Sequence, residues 1–316
     1  MTDSVLPDLN LLPLSGLYAE LSRNGLITRA LELARDEDLG PQPQAGDVTT
    51  LSSGLASKPL RAELVARAPG VIAGMAAVPE VLRVFAPRSA LSVHVTDGTV
   101  VHAGTVIGSV SGPAAEILAA ERTILNLLSR LSGIATLTRR FVDAIASAAP
   151  GSKARLFDTR KTTPGLRMLE KYAVRCGGGC CHRIGLFDAV LLKDNHLVGV
   201  QLSNLGEFVR AAAARARASR PLRFVEVEVD SMEQLAELAR LPRGTIDCVL
   251  LDNFSPSVLS DAVRLRDRTS PALQLEASGG ITLDSIGAVA RSGVDRISCG
   301  SITHSAPALD LALDVV

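Results

Sequence analysis

The chain has 316 residues, about twice the length of a typical domain, so one large α/β domain or two domains are expected. Its 33 basic residues balance its 33 acidic residues, which argues against an overall electrostatic field that attracts nucleic acid or an anionic membrane. Aromatic residues make up only 3% of the chain, too few for a protein that stacks single-stranded bases. We therefore expect no nucleic-acid partner and no membrane partner.

The cysteines indicate a reducing compartment. Five cysteines are an odd number, and Cys180 is adjacent to Cys181, which is a poor start for a disulfide framework. The N-terminus lacks the basic start and the continuous apolar run of a secretory signal peptide. We therefore predict a cytoplasmic protein.

The first half of the chain predicts a small mixed domain. We expect an irregular lead-in over the first 20 or so residues, a helix at 21–39 and a loop at 42–54. Residues 61–110 alternate short apolar runs with glycine, proline and Asp-Gly turns, which predicts strands around a helix at 78–85. A helical pattern at 117–148 links this layer to the rest. The predicted domains are therefore 1–130 and 131–316.

The second half predicts parallel β/α units. Short β-branched runs lie at 155–157, 189–192, 223–229, 247–251, 273–275 and 295–298, and helical stretches lie at 205–218, 231–241 and 256–268. Alternation of this kind gathers polar residues at the carboxyl ends of the strands. Six strands are fewer than the eight of a full barrel, so the pattern favours an incomplete barrel or a doubly wound sheet.

The densest group of cations follows the first of these strands, in Asp158-Thr-Arg-Lys-Thr-Thr-Pro-Gly. Arg160, Lys161 and two threonine hydroxyls precede a helix expected to open near Pro164, an arrangement that suits carboxylate or phosphate oxygens. The alternative is a solvated loop in which Thr163 caps that helix.

A glycine-rich segment follows, Gly177-Gly-Gly-Cys-Cys-His-Arg183. Three glycines let the backbone approach a ligand closely, and His182 and Arg183 come directly after them. Zinc bound by Cys176, Cys180, Cys181 and His182 is the alternative. However, ligands at three consecutive positions do not readily converge on one tetrahedral ion.

The next predicted strand ends in Lys193. A lysine at such a point serves as a Schiff-base nucleophile or as a cation that binds an anion. The cations at positions 160, 161 and 183 favour the anion clamp, and the Schiff base stays open as an alternative.

Two predicted strands then carry acids. Glu226 and Glu228 share one face, and Glu228 is nearer the strand end, where we expect it to face the mouth of the barrel. Asp252 ends the next strand. Acids at adjacent strand ends suggest a polyhydroxylated or Mg²⁺-bound substrate, whereas the alternative is a salt bridge to Arg160 or Arg183. The alternation leaves open which of the two glutamates faces a ribose.

The last two strands end in turns that contain glycine and hydroxyl groups, Ser278-Gly-Gly280 and Cys299-Gly-Ser301. Paired turns in this order are typical of the phosphate site of β/α barrels. His304 is positioned to donate to that phosphate, with helix capping or a core role as alternatives.

These motifs, with Glu121-Arg-Thr-Ile-Leu-Asn126, Leu192-Lys-Asp-Asn-His196 and Leu251-Asp-Asn-Phe254, closely resemble those of the quinolinate phosphoribosyltransferase family. The resemblance runs from about residue 37 to the C-terminus. Cys181 departs from it, since the family commonly has Asn there, and the first 20 or so residues resemble an extension.

The resemblance implies a fold and a reaction. The fold is an N-terminal α/β sandwich followed by an incomplete α/β barrel of about six strands, in a homodimer or higher homo-oligomer whose subunits share active sites. The reaction transfers a phosphoribosyl group from phosphoribosyl pyrophosphate (PRPP) to quinolinate with loss of CO₂. It needs Mg²⁺ and belongs to NAD biosynthesis. A related transferase acting on another pyridine or base, and a Schiff-base lyase built on Lys193, are the alternatives.

The resemblance also implies residue roles. Quinolinate is assigned to Arg160, His182, Arg183 and Lys193, and to Arg122 from the partner subunit. PRPP and catalysis are assigned to Lys161, Glu228 and Asp252, with Lys193 also catalytic and Mg²⁺ bound through the substrate near the two acids. The 5-phosphate is assigned to Ser278, Gly279, Gly300 and His304.

Overall fold

The computed structural model describes residues 7–40 and 46–316. Within them the chain forms two compact units, each assembled from separate stretches. The parallel-sheet unit contains residues 7–10, 140–161 and 179–301, and the antiparallel-sheet unit contains residues 11–40, 46–139, 162–178 and 302–316. A long helix, Ala114–Ala148, runs through the predicted boundary at residues 130 and 131. That domain boundary stays a prediction.

The elements of the described residues are as follows. The helices are α1 (Leu14–Ser22), α2 (Leu26–Leu39), α3 (Val48–Ser52), α4 (Val78–Phe85), α5 (Ala114–Ala148), α6 (Arg167–Cys176), α7 (Asp194–Leu197), α8 (Leu202–Ser219), α9 (Met232–Ala239), α10 (Pro256–Thr269), α11 (Leu283–Arg291) and α12 (Ser301–His304). The strands are β1 (Pro59–Ala66), β2 (Gly70–Val71), β3 (Ala90–Val93), β4 (Val100–Val101), β5 (Val106–Pro113), β6 (Arg155–Phe157), β7 (Val190–Leu192), β8 (Val225–Val229), β9 (Cys248–Asp252), β10 (Gln274–Ser278), β11 (Arg296–Ser298) and β12 (Leu311–Val315). None of these helices combines the length and the apolar character needed to cross a membrane.

The antiparallel-sheet unit contains a four-stranded sheet in the order β12-β1-β5-β3, and β2 pairs with β4. Leu64, Ile107 and Val110 are fully buried in it. The expected alternation holds over residues 61–64 of β1, whereas residues 107–110 of β5 are all buried. The sequence analysis did not expect β12. This strand pairs antiparallel with β1, with Ala62 opposite Val315, so the end of the chain completes the sheet.

The N-terminal expectations need correction. The irregular lead-in is wrong over α1, which buries Leu17 and Leu21 on one face because they are one helical turn apart. The helix expected at 21–39 begins only at α2, because Gly25 has a left-handed φ of 70° and separates it from α1.

The loop expected at 42–54 lies partly outside the described residues, at 42–45. Residues 48–52 form α3, so the loop is wrong there. The Asp47 carboxylate accepts hydrogen bonds from the backbone N–H groups of Thr49 and Thr50 and caps this helix.

The parallel-sheet unit contains six parallel strands in the order β6-β11-β10-β9-β8-β7. Strands β7 to β11 are neighbours in chain order, and β6 lies beside β11. A doubly wound sheet reverses its order part-way, so this topology is that of an incomplete barrel that is open between β6 and β7. The predicted α/β fold, with an N-terminal antiparallel layer and six parallel strands, is confirmed.

Both faces of the parallel sheet are covered. Val225, Val227 and Val229 are buried on one face of β8, as expected for a strand between a helical layer and an interior. Glu226 is fully buried on the opposite face. Glu226 and Glu228 are two residues apart, so both side chains lie on this opposite face of β8, which is the face of the site described below.

Candidate active site

The predicted site residues of the parallel-sheet unit gather at the carboxyl end of its sheet. Asp252 and Ser278 are the last residues of neighbouring strands and lie opposite each other in the register. The remaining positions follow from the strand ends: Arg160 and Lys161 after β6, Lys193 after β7, Glu228 near the end of β8, Gly279 after β10 and Gly300 after β11. One edge of one sheet thus presents both cations and acids.

The segment with His182 and Arg183 is anchored to β6. Cys180 forms a parallel bridge with Phe157, and its N–H donates to the Leu156 carbonyl at 2.8 Å. The backbone N–H of His182 donates to the buried Asp158 carboxylate at 2.8 Å. This segment therefore lies along the free edge of β6, where the barrel is open.

Arg160 and Arg183 are two neighbouring cations at this end of the sheet. Arg183 is 7% exposed, and Arg160 has a buried Nε without a hydrogen-bond partner. Burial, and next the charge of Arg160, lower the pKa of the Arg183 guanidinium. The carboxylates of Glu226, Asp188 and Glu228 only partly offset this effect. Among the described residues neither guanidinium has an ion-pair partner. Two neighbouring cations, of which Arg183 is buried and neither is in an ion pair, are suited to an anionic ligand.

Lys193 and Glu228 form the next pair, with Lys193 Nζ 2.7 Å from Glu228 Oε2. Lys193 also precedes the short helix α7, where its N–H donates to His196 Nδ1 at 3.0 Å. An ammonium held by a carboxylate has no free electron pair for a carbonyl carbon. The geometry therefore favours a charged role over the Schiff base.

The turns after β9 and β10 interlock beside Asp252. Asn253 is the non-glycine residue with a positive φ in the described chain, 58°, and its N–H donates to the Ser278 carbonyl at 2.9 Å. A Cβ on Gly279, whose φ is 100°, would lie 2.1 Å from Asn253 Oδ1. Only glycine fits this approach, which exposes backbone N–H groups at the carboxyl end of the sheet.

A second charged cluster lies inside the sheet. His182 Nε2 is 3.0 Å from Glu226 and 3.4 Å from Glu276, and Arg296 Nε is 2.6 Å from Glu276. All four side chains are buried. The Arg296 guanidinium also lies over the rings of Phe157 and Phe224, 4.1 and 5.1 Å from their centroids.

The charges of this cluster balance. Burial opposes a charged His182, but the charges of Glu276 and Glu226 outweigh it and raise the pKa of His182 to about 9. The Arg183 N–H, which donates to Nδ1 at 2.9 Å, favours the neutral ring, yet one neutral hydrogen bond is weaker than two nearby charges. Burial also opposes ionisation of Glu276, and His182 and Arg296 reverse this, lowering its pKa to about 2.

Three members of this cluster, His182, Glu226 and Glu276, are the described residues whose donor atoms converge enough to hold a metal ion. It contains no cysteine, so the zinc site with Cys176, Cys180 and Cys181 gains no support from the described residues. Two glutamates already face one arginine and one imidazolium there. An added cation is not needed for neutrality.

Arg122 and His304 belong to the antiparallel-sheet unit. The Arg122 side chain is 66% exposed, and its guanidinium lies 4.0 Å from Glu121. His304 ends α12, where its Nδ1 is 2.7 Å from Ser305 Oγ. Neither side chain is buried in its own unit.

Sequence reasoning missed charged residues with buried partners in each of the two units. Arg130 of α5 pairs with the buried Glu170 at 2.9 Å, and Glu170 accepts from the Thr163 N–H at 3.2 Å. In the parallel-sheet unit it missed Glu276 and Arg296. Glu276 lies two residues before Ser278, and period-two alternation was enough to place it on the inner face of β10.

A cavity of about 680 Å³ opens at the opposite, amino end of the parallel strands. Arg155, Asp247 and Asp295, which flank the strand starts, line it together with Arg243. His182 reaches it from inside, whereas the other predicted site residues do not line it. Asn10 and Cys181 also line this cavity. Apart from His182, the predicted site residues lie away from it, as expected for a barrel whose chemistry is at the carboxyl end.

Comparison with known families decides the relationship. The family model of the quinolinate phosphoribosyl transferase N-terminal domain matches residues 47–132, and that of its C-terminal domain matches residues 134–314. The chain belongs to the quinolinate phosphoribosyl transferase family. The expected resemblance is confirmed over almost all of the described chain.

Relatives from bacteria agree with this membership. A probable nicotinate-nucleotide pyrophosphorylase [carboxylating] of Bacillus subtilis is 41% identical over 280 residues, which cover 88% of this chain and 90% of the relative. A nicotinate-nucleotide pyrophosphorylase [carboxylating] of Mycobacterium leprae is 43% identical, covering 85% and 91%. The solved nicotinate-nucleotide pyrophosphorylase of Francisella tularensis superposes with a TM-score of 0.81 at 34% identity, covering 98% of this chain and 100% of that one.

Proposed function

We propose that the chain transfers the phosphoribosyl group of PRPP to quinolinate and releases pyrophosphate and CO₂, giving nicotinate mononucleotide for NAD biosynthesis. The observation that carries this proposal is the pair of Arg160 and Arg183, which has no ion-pair partner among the described residues, in a chain of the quinolinate phosphoribosyl transferase family. A pyridine with two adjacent carboxylates matches two fixed guanidiniums, because each carboxylate accepts charge-assisted hydrogen bonds.

The remaining residues of the cationic set complete the proposed quinolinate site. Lys193, held by Glu228, adds a third cation. His182, whose charge is already balanced by Glu226 and Glu276, borders the proposed site directly before Arg183. Arg122 reaches the site of a partner subunit, and the exposure of its side chain in the single chain leaves it available for this. The active protein is then a homodimer or a larger homo-oligomer. Inactive Arg122→Ala and Lys193→Ala subunits should regain activity when mixed, and no recovery after verified subunit exchange would contradict shared sites.

The acids and the glycine turns form the proposed PRPP site. Lys161 binds anionic oxygens of PRPP, and Ser278, Gly279, Gly300 and His304 bind its 5-phosphate. Glu228 and Asp252 face the ribose. Each of these two carboxylates has one oxygen bonded to Lys193 or Asn253 and a second oxygen without a hydrogen bond to a described residue. Oxygen donors of this kind fit Mg²⁺, which neutralises the diphosphate when it enters bound to PRPP.

The reaction then follows from these charges. The bond between ribose C1 and the diphosphate oxygen breaks, and its electron pair leaves with pyrophosphate. The carboxylates of Glu228 and Asp252 stabilise the positive charge that develops on the ribose. The quinolinate nitrogen attacks C1 and becomes a pyridinium. The bond to the adjacent carboxylate breaks next, its electron pair stays on ring carbon 2 beside the positive nitrogen, CO₂ leaves and a proton takes its place.

The compartment proposed for this reaction is the cytoplasm. All five cysteines are buried and none of them forms a disulfide, which fits a reducing environment. Fractionation of cells that produce the full chain, with activity measured in each fraction, tests this, and activity confined to a membrane or organelle fraction contradicts it.

The decisive test of the function is pyrophosphate release from PRPP with quinolinate compared with nicotinate. Nicotinate lacks the 2-carboxylate and leaves buried cations unpaired, so we expect kcat/KM to be about 10² to 10⁴-fold lower. Phthalate keeps both carboxylates and lacks the nitrogen, so it should compete with quinolinate. Turnover with nicotinate alone, or phthalate that binds no better than benzoate, would show that another substrate is used.

A further inference from the structure

The segment that carries His182 and Arg183 is held at nearly every residue. Residue 180 pairs with β6, and the His182 N–H donates to Asp158, as described above. The N–H groups of Ile184 and Gly185 both donate to the buried Asp188 carboxylate at 2.9 Å. Residue 181 lies between these anchors, and its partner comes from the start of the chain.

That partner is Asn10. Its Oδ1 accepts from the Cys181 N–H at 2.7 Å, and its Nδ2 donates to the Cys181 carbonyl at 3.0 Å. One carboxamide thus makes both hydrogen bonds that a neighbouring β-strand would make to this residue. Cys181 is 5% exposed, so water does not readily replace these bonds.

The stretch around Asn10 is itself fixed. Leu9 is 2% exposed, and the Asn10 N–H donates to Asp8 Oδ1 at 2.8 Å. The Arg223 guanidinium donates to the Pro7 carbonyl, and its Nε donates to Asp188 Oδ2 at 2.9 Å. Residues 7–10 are therefore tied to the same segment at two points, through Cys181 and through the Asp188 that holds residues 184 and 185.

Asn10 precedes the first residue matched by either family model, residue 47. The amide that binds the backbone of Cys181 thus comes from the stretch of chain before the two matched domains.

We infer that Asn10 is a positioning residue for the proposed dicarboxylate clamp. It fixes the backbone of residue 181, and so the direction in which the chain presents Arg183 toward Arg160. This inference rests on the proposed function. Because Asn10 acts through the backbone of residue 181, we expect its effect to be limited to the binding of the pyridine dicarboxylate.

The test compares Asn10→Ala with the matched control Asn24→Ala. Asn24 also uses its side-chain oxygen to accept a backbone N–H, that of Leu26 at 3.0 Å, but it is exposed and lies in the antiparallel-sheet unit. We expect Asn10→Ala to weaken phthalate binding in a direct titration, and to raise KM for quinolinate, by about fivefold or more, the equivalent of one net hydrogen bond. KM for PRPP at saturating quinolinate should not change, and Asn24→Ala should match the wild type.

Hydrogen exchange provides a readout that does not depend on turnover. Exchange should accelerate in peptides covering residues 179–185 of Asn10→Ala and stay unchanged in peptides covering β9. If Asn10→Ala does not fold, Asn10→Asp carries the same test, because it keeps the acceptor for the Cys181 N–H and loses the donor for the carbonyl.

The results of these experiments distinguish the positioning role of Asn10 from the proposed function. Unchanged phthalate affinity in a folded Asn10 variant, or equal weakening for quinolinate and PRPP, overturns the positioning role. A wild-type protein that binds neither quinolinate nor phthalate overturns the proposed function instead. In that case faster exchange at 179–185 still shows whether Asn10 holds this segment.

Discussion

The parallel sheet carries two groups of charged residues that differ in one respect. Inside the sheet, His182, Glu226, Glu276 and Arg296 neutralise one another at distances of 2.6 to 3.4 Å. At the carboxyl end, Arg160 and Arg183 form no ion pair with a described residue, and Glu226, Asp188 and Glu228 only partly offset the effect of burial and of Arg160 on Arg183. A buried charge with an ion-pair partner in the protein contributes to the fold. A buried charge without such a partner is suited to binding a ligand of opposite charge.

The largest expected effect follows from removing an unbalanced charge. Arg183→Ala should lower kcat/KM for quinolinate by about 10³-fold, since it removes about two charge-assisted hydrogen bonds to the substrate. Its free energy of unfolding should stay the same or rise, because a buried cation beside Arg160 is lost. Steady-state kinetics and urea unfolding measure the two effects.

The control for this variant is Arg243→Ala, which removes an exposed arginine at the amino end of the sheet. Its kcat/KM should match the wild type. An Arg183→Ala variant that keeps kcat/KM within about threefold while losing stability would assign Arg183 to the fold instead of the ligand.

The balanced cluster should behave in the opposite way. Arg296→Met leaves Glu276 buried without its arginine and should lower the free energy of unfolding by about 3 to 5 kcal/mol. Adding Glu276→Gln removes the stranded charge and should recover most of that loss. Chemical denaturation of both variants checks this, and a double variant as unstable as the single one would contradict the charge balance.

The smallest effect concerns pH. The pKa of His182 is raised to about 9 in the folded protein from 6.5, so its contribution is complete below pH 6.5 and is lost as the pH rises through about 9. The free energy of unfolding should fall over this range by at most about 3 kcal/mol. In Glu226→Gln the fall should be smaller, because one of the two carboxylates that stabilise the imidazolium is gone. Equal slopes for wild type and variant would rule out a charged His182.

Much of the site was predictable because strand periodicity and motif order are local properties. The six parallel runs, the polar residues at their ends and the placement of Glu226 and Glu228 on one face all follow from alternation along single strands. The terminal strand β12 was not predicted, because its five residues become a strand only through pairing with β1. The helix α1 was not predicted either, because the prolines and glycine around it obscured the helical spacing of Leu17 and Leu21.

The sequence by itself determined the family, the six-stranded parallel layer and the set of cations and acids placed at its carboxyl end. The tertiary structure decided how those charges are paired, because neutralisation depends on distances between residues far apart in the chain, such as Arg296 and Glu276 or Lys193 and Glu228. It also decided that Asn10 holds Cys181, across 171 positions of sequence. Hydrogen bonds and ion pairs form between atoms within a few ångströms, and no local pattern in the sequence encodes that proximity.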